Sequence, residues 1–486
     1  MRHLFFRGAR TSAVRPRGLE RASRSLVAIT AAVAFAIPLA ASAAAGDVDP
    51  AFGDSGVATM SAFDLDWGNP AGPVVQHDGR IVVCGVGLSA DGSHYTTMLY
   101  RLTRDGAPDP EFGSAGHVDI GGGAITYTNC LALVGGINDS IFALGLHYIG
   151  SPPYHDSETA ILKFHADGTP DTSYGDGGVA YVDRVPGDFD AAQTALALAD
   201  GSLMLGFSSY PNAFGAARLD AHGAIDTAFG DGGFARVEFD HTTDLMPTVC
   251  GVFIDAAGRI VLAGSLEDFP VPTAEFAAVR LAADGSVDRT FGSGGRVRVG
   301  FADRYSYPLV ALLDDANRLV LAGLSSTLWS SGATPFSDVA VMRLRNDGAL
   351  DPAFADGGKL LVPIDLGAER RDAIAFTGLL RRDGKILLAG TANAPYSTPI
   401  ALLQLDPSGR LDRRFGDDGI RILDPVLSDA VSMYLPTGIA AQGSNDILIG
   451  VYGNGTNLNA HFALRLDGES GVRGHSRHQR PLRDRR

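Results

Sequence analysis

The chain has 486 residues, 45% of them hydrophobic, and a formal net charge of −15. Its basic residues crowd the ends, seven Arg against one Glu in residues 1–43 and six Arg against one Asp from Arg473 onward, so the body between them is more acidic than the total. An acidic body repels phosphate backbones and excludes nucleic acid as an expected partner; with Lys163, Lys359 and Lys385 as the only lysines, Schiff-base chemistry is a poor fit as well.

Residues 1–45 read as a secretory signal peptide. A basic stretch from Arg2 to Arg24 precedes an apolar run, Leu26 to Ala41, and Ala41-Ser42-Ala43 has the small-x-small form of a cleavage site. An uncleaved anchor is the alternative, because Leu26–Ala45 is about long enough to span a bilayer. Pro38 and the run of small Ala favour cleavage, which leaves no membrane span and places the protein in the periplasm or outside the cell.

Seven copies of Asp-x-x-aromatic-Gly-x-x-Gly follow, starting at Asp49, Asp109, Asp171, Asp226, Asp288, Asp351 and Asp412. A fixed period of this size marks one supersecondary unit stacked on itself. Each unit holds four short apolar runs separated by turn residues, the fifth for example Arg296–Val299, Leu309–Leu313, Arg318–Ala322 and Val339–Leu344. Such runs are strands. Four antiparallel strands repeated seven times make an all-β, seven-bladed β-propeller over residues 46–472. The first two strands of a blade, A and B, are joined by Asp-Gly pairs such as Asp78-Gly79, Asp200-Gly201 and Asp383-Gly384, which predict two-residue hairpin turns.

The array opens on a lone D strand, Val57–Phe63, and ends on A, B and C strands near Thr437–Ala441, Asp446–Gly450 and Ala460–Asp467. Pairing these closes the ring and removes an exposed edge. Strand C carries Arg101, Lys163, Arg218, Arg280, Arg343, Gln404 and Arg465, and the first six lie eight residues before the next signature Asp. Each side chain is expected to reach that Asp across the C–D turn, with Arg465 reaching Asp49. The signature Asp could instead ligate calcium, which suits an acidic exported protein, but Asp in a turn more commonly binds nearby backbone N–H groups; no cofactor is expected. Three cysteines, Cys84, Cys130 and Cys250, with no CxxC, argue against a disulfide framework, and Cys84 fits a buried apolar slot. Residues 473–486 form a basic tail expected to be disordered.

The signature, the Asp-Gly turns and the period near sixty resemble the delta-60 repeat family of bacterial exported proteins and an elongated NHL-type propeller blade. Tyr174 and Ala355 depart from the pattern. The resemblance implies the fold and export, and no catalytic residues or substrate.

A residue repeated around a ring is rarely catalytic, so function is expected where the units differ. Insertions concentrate in the B–C connections, and in propellers the B–C and D–A loops emerge on one face. The aromatic residues expected there are Trp67, Tyr95, Tyr148, Tyr154, Tyr210, Phe269, Tyr305, Trp329, Phe336, Tyr396 and Tyr452. They could stack on sugar rings or anchor a protein. His147, His155 and Asp156 could hold a metal, or simply sit in a solvated loop. No Gly-x-Ser-x-Gly, His-Glu-x-x-His or P-loop occurs. The leading expectation is a monomeric exported binding or scaffold module for an unknown glycan or protein. A polysaccharide hydrolase or lyase and a structural or adhesive surface protein are the alternatives.

Overall fold

Turn residues cut the chain into apolar runs of four to ten residues, and runs of that length bounded by Gly and Asp form strands. The computed structural model describes residues 45–60, 71–88, 95–120, 130–149, 156–182, 192–240, 245–268, 273–302, 304–327, 336–368, 372–395, 397–423, 431–443, 446–455 and 458–468.

Seven four-stranded antiparallel sheets result. Blade 1 comprises β2 (Ala71–Val75), β3 (Ile81–Leu88), β4 (Tyr95–Leu102) and β5 (His117–Asp119); blade 2 comprises β6 (Ala132–Gly135), β7 (Ile141–Ile149), β8 (Asp156–Phe164) and β9 (Val179–Val182). Blade 3 is β10 (Ala192–Ala197), β11 (Leu203–Ser209), β12 (Ala213–Leu219) and β13 (Phe234–Glu238); blade 4 is β14 (Leu245–Ile254), β15 (Ile260–Asp268), β16 (Thr273–Leu281) and β17 (Arg296–Val299). Blade 5 is β18 (Arg304–Leu313), β19 (Leu319–Thr327), β20 (Ser337–Leu344) and β21 (Lys359–Val362); blade 6 is β22 (Ala373–Leu380), β23 (Ile386–Ala392), β24 (Ile400–Leu405) and β25 (Ile420–Leu423). In blade 7, β26 (Val431–Gln442), β27 (Asp446–Gly455) and β28 (Leu458–Leu466) are completed by β1 (Val57–Thr59) from the other end of the chain.

The closing strand pairs Val57 with Leu464, Ala58 with Ala463 and Thr59 with Phe462. Beyond Thr59, Met60 still donates its N–H to the His461 carbonyl at 2.9 Å, and residues 61–63 of the expected strand lie outside the described set. The first strands of successive blades touch one another in cyclic order, with β26 against β2, so strand A lines the axis and strand D forms the rim. Strand B is covered on both faces, as β11 and β23 show by being buried at every position.

Seven apolar clusters fill the seven gaps between neighbouring blades. Each holds one signature aromatic: Phe52, Phe112, Tyr174, Phe229, Phe291, Phe354 or Phe415, none more than 2% exposed. Burying each ring contributes about 1.5–3 kcal/mol, so the repeat places one anchor in every interface. The following residue donates its N–H to the next blade's C–D turn. Gly53 bonds the Asp105 carbonyl at 2.8 Å, Gly175 that of His222 at 2.7 Å, and Ala355 that of Ser408 at 2.7 Å.

Two local expectations are corrected. The A–B turns have three loop residues. In blade 1, Gln76 N–H donates to Arg80 O and Gly79 N–H to Gln76 O. Gly79 has φ +88°, while Asp78 stays outside the left-handed region, so the loop is a turn with a glycine bulge. Asp78 instead accepts the Arg80 N–H at 2.9 Å, which is the usual use of Asp in a turn. Second, Cys84 and Cys130 form a disulfide with Cα atoms 6.0 Å apart. Cys84 lies on β3 and Cys130 just ahead of β6, and both sit in the cluster between blades 1 and 2. Residues distant in sequence meet because the B strand of one blade abuts the entry to the next; Cys250 is the unpaired third.

The position after the signature aromatic has φ between 51° and 60° wherever it is glycine, and Ala355 is held at φ 45° in the same turn. An L-residue in that region costs about 1–2 kcal/mol. Ala355→Gly is therefore expected to raise the free energy of unfolding by roughly 1 kcal/mol, measured by guanidinium denaturation of the full chain.

Candidate functional site

The two ends of the ring differ in kind. The end bearing the A–B and C–D turns repeats the same constellation. Arg101 donates to Asp109 at 2.7 Å, Lys163 stands 3.2 Å from Asp171, and Arg218 donates to Asp226 at 2.6 Å. Arg280 reaches Asp288 at 2.7 Å, Arg343 reaches Asp351 at 2.8 Å, and the Gln404 amide reaches Asp412 at 3.0 Å. Arg465 reaches Asp49 at 2.7 Å across the closing seam. The second carboxylate oxygen of each Asp accepts the N–H two residues on, at 2.9–3.2 Å. Six of the cations also lie over the signature ring, for example Arg343 at 4.5 Å from Phe354.

A second cation, which the sequence reading overlooked, joins some of these pairs from the A–B turn. Arg80 lies 3.2 Å from Asp109, Arg259 lies 3.5 Å from Asp288, and Lys385 lies 2.8 Å from Asp412. Its trace in the sequence is the basic residue after the turn glycine. The closing blade reverses this charge, because Asp446 opens β27 and faces the Asp49–Arg465 pair. Burial, reinforced by Asp49, raises the Asp446 carboxyl above its usual value, and burial, Asp49 and Asp446 raise Asp467 likewise. At Asp288, Asp351 and Asp412 burial pushes the same way, but the hydrogen-bonding and cationic partners outweigh it and hold those carboxyls low.

The end bearing the B–C and D–A connections does not repeat. On blade 3 the B–C connection narrows to Tyr210, Pro211 and Asn212, and Tyr210 is 50% exposed. On blade 4, Met246 near the start of the innermost strand is also 50% exposed. On blade 5 the innermost strand opens with Tyr305 and Tyr307, half-buried, their rings parallel within 6° and 6.3 Å apart. The Tyr305 hydroxyl donates to Glu267 of blade 4 at 2.9 Å. Burial and that carboxylate both raise the phenol's pKa. Blades 4 and 5 thus bring Met246, Glu267 and the tyrosine pair together, since Met246 pairs with Glu267 across the β14–β15 ladder. Met246 was missed because an isolated Met in an apolar run reads as core.

The other aromatics are dispersed. Phe336 is half-buried under the Arg304 guanidinium, 5.2 Å from its ring. Tyr452 packs on His461 and the cluster between blades 7 and 1. Tyr95 and Tyr148 fall within β4 and β7. Trp67, Tyr154, Phe269, Trp329 and Tyr396 lie outside the described residues, as does His155. The His147 Nδ1 is 2.8 Å from Glu158, and the Tyr181 ring lies 5.0 Å away.

Two hollows lie at the repeating end. One of about 430 Å³ is lined by Arg280, Thr290, Arg345, Asn346 and Asp347, and its walls are the scaffold's own ion pairs and turns. Among the described residues no group of three or more His, Cys, Asp or Glu is placed to hold a metal ion, and no helix is long and apolar enough to cross a membrane.

Four segments, residues 76–112, 258–291, 317–354 and 381–415, match the family described as Domain of unknown function (DUF5122) beta-propeller. Each ends on a signature aromatic, Phe112, Phe291, Phe354 or Phe415. No curated protein matches the chain. Among solved structures it is similar to a polysaccharide lyase, PL25-Ulvanlyase, bound to -[GlcA(1-4)Rha3S]-, with TM-score 0.50 and 11% identity over 88% of this chain and 96% of that one. Polysaccharide lyase Uly1 gives TM-score 0.45 at 10% identity over 85% and 93%. The β-propeller domain of the Trilobed protease from Pyrococcus furiosus gives 0.41 at 10% over 88% and 99%. At these identities the likeness is one of fold.

The reversed charge at the seam has a measurable signature. A carboxyl whose pKa is raised by folding stabilises the fold when protonated, and that contribution is lost as pH rises through the folded value. Asp446→Asn is therefore expected to stabilise the protein at pH 7, by less than about 1 kcal/mol after solvent screening. The gain should shrink as pH falls toward the ordinary carboxylate range near ~4. Denaturation midpoints of both proteins between those limits test this; a gain that grows on acidification would refute it.

Proposed function

We propose that the protein is an exported binding propeller of the delta-60 repeat kind, holding a glycan across the B–C and D–A end at blades 3 to 5. The observation that carries the reading is the parallel Tyr305–Tyr307 pair on the axis-lining strand of blade 5, tied to Glu267 and flanked by exposed Met246. Parallel tyrosine faces offer apolar area with hydroxyl handles, the surface that sugar rings stack on. Export is supported by the leader pattern and by the Cys84–Cys130 disulfide, since disulfides persist in oxidising compartments.

A second reading, a polysaccharide-cleaving propeller, rests on His147, Glu158 and Tyr181. A carboxylate on Nδ1 fixes the imidazole tautomer and leaves Nε2 to accept a proton. If it holds, incubation with polyuronates or neutral polysaccharides releases new reducing ends or unsaturated products, and His147→Ala abolishes them. Polymer left intact by the wild-type protein removes this reading.

For the binding reading, affinity electrophoresis in gels containing neutral, amine-bearing or anionic polysaccharide should show retardation by at least one polymer. Tyr305→Ala and Tyr307→Ala are each expected to weaken that retardation about tenfold or more, with unchanged circular dichroism. Full retardation in both variants would place the ligand elsewhere.

A further inference from the structure

The charge around the tyrosine pair narrows the ligand further. Glu238 ends strand D of blade 3 with Asp240 two residues beyond it, Glu267 and Asp268 end strand B of blade 4, and Glu275 lies near the start of its strand C. The guanidinium groups beside them are engaged. Arg236 binds Glu238 and the Ser209 hydroxyl. Arg298 binds Glu275 at 2.8 Å and lies 3.6 Å from Asp268. Arg304 binds Asp338 at 2.8 Å and covers Phe336. Each of these guanidinium groups already carries a carboxylate, so an anionic ligand competes with that carboxylate for the cation. Acceptors, by contrast, are available. Glu267 uses Oε2 for the Tyr305 hydroxyl, and its Oε1 has no partner among the described residues. A cation over a tyrosine face gains from the ring quadrupole as well.

We infer that the glycan bound at this face carries amines: a polymer containing unacetylated amino sugars. This rests on the binding reading above and adds the ligand's charge. Amino sugars supply both groups the site receives, ring faces for two parallel tyrosines and ammonium donors for Glu267. A basic peptide would satisfy the carboxylates, but paired ring faces at residues i and i+2 match the successive faces of a sugar chain. The polyanionic chemistry of the -[GlcA(1-4)Rha3S]- bound by the ulvan lyase is the kind this sector opposes.

The test is calorimetric titration of the full chain with three probes: chitosan oligomers, their fully N-acetylated counterparts, and a polyuronate oligomer of equal length. Chitosan oligomers are expected to bind at least roughly tenfold tighter than the neutral form, with affinity falling as salt is added. Glu267→Gln keeps an acceptor for Tyr305 and should lower chitosan affinity roughly tenfold more than it lowers affinity for the neutral oligomer. Equal or tighter polyuronate binding, or an unchanged Glu267→Gln, overturns the amine assignment; if Tyr307→Ala still abolishes that binding, the binding reading survives. A Lys-rich peptide that binds tighter than chitosan overturns the glycan in favour of a protein partner. Binding of none of the probes overturns both readings.

Discussion

One cation per blade holds this ring together, and it does so by satisfying three demands with one side chain. Arg101, Arg343 and Arg465 are each nearly buried, a costly placement for a guanidinium unless its donors are used. Each lies over the signature ring, donates to the signature Asp, and sends Nη1 to a carbonyl of the next blade, as Arg101 does to Ala166 at 2.6 Å and Arg343 to Pro407 at 2.7 Å. The ring fills the gap, the Asp neutralises the charge, and the carbonyl fixes the neighbour's distance. Apolar burial supplies most of the attraction between blades, but it is non-directional. The guanidinium fork adds the geometry that makes every gap alike. Blade 6 keeps the arrangement without an arginine on strand C: Gln404 bonds Asp412, Lys385 brings the charge, and Arg381 donates to Gln404 at 2.6 Å.

The same grammar explains how a linear chain closes. In an intact C–D turn, Gly106 donates to Thr103 and Asp109 to Arg101, and Gly106 sits against Phe52 of the preceding blade. At the seam, Gly46 donates to Asp467 at 3.0 Å and Asp49 to Arg465 at 2.8 Å. A Cβ on Gly46 would stand 2.6 Å from the Phe415 ring, so only glycine fits there, with φ +90°. The seventh turn is therefore an ordinary turn divided between the two ends of the chain. Its two halves lack the covalent link that lowers the entropy of closure elsewhere, and they meet through Asp47, Asp49, Asp446 and Asp467, of which Asp446 and Asp467 are held above the usual carboxylate range. The raised Asp446 and Asp467 carboxyls make the seam a joint whose strength depends on pH.

How much of this was legible in the sequence follows from which interactions recur. The eight-residue offset between strand-C cation and signature Asp crosses one turn of constant geometry, so the pairing, the blade count and the lone closing strand could all be read. The turn-borne second cation recurs in four of the seven units, at Arg80, Arg259, Arg318 and Lys385, too sparsely to stand out as part of the repeat. Other features are contacts between blades that occur once. The Cys84–Cys130 bond joins residues 46 apart, and nothing repeats to mark it. The A–B turn type depends on whether Asp78 shares the left-handed conformation of Gly79, which an Asp-Gly pair leaves undecided. At the B–C and D–A end, residue type alone grouped Tyr452 with Tyr305, yet one packs between blades and the other meets Glu267.

Repetition also bears on where function can lie. The repeating end presents a ring of neutralised pairs whose hollows are lined by the scaffold's own turns, and a ligand there would compete with contacts that hold the blades together. At the other end Met246, Tyr305 and Tyr307 stand on innermost strands pinned by β-bulges at Val249/Gly251 and Pro308/Val310. Bulges bend an inner strand without loosening its register, so these side chains stand on rigid backbone instead of on long loops. Rigid placement lowers the ordering cost of binding. Substitutions at this end leave the Asp–cation pairs of the opposite end untouched.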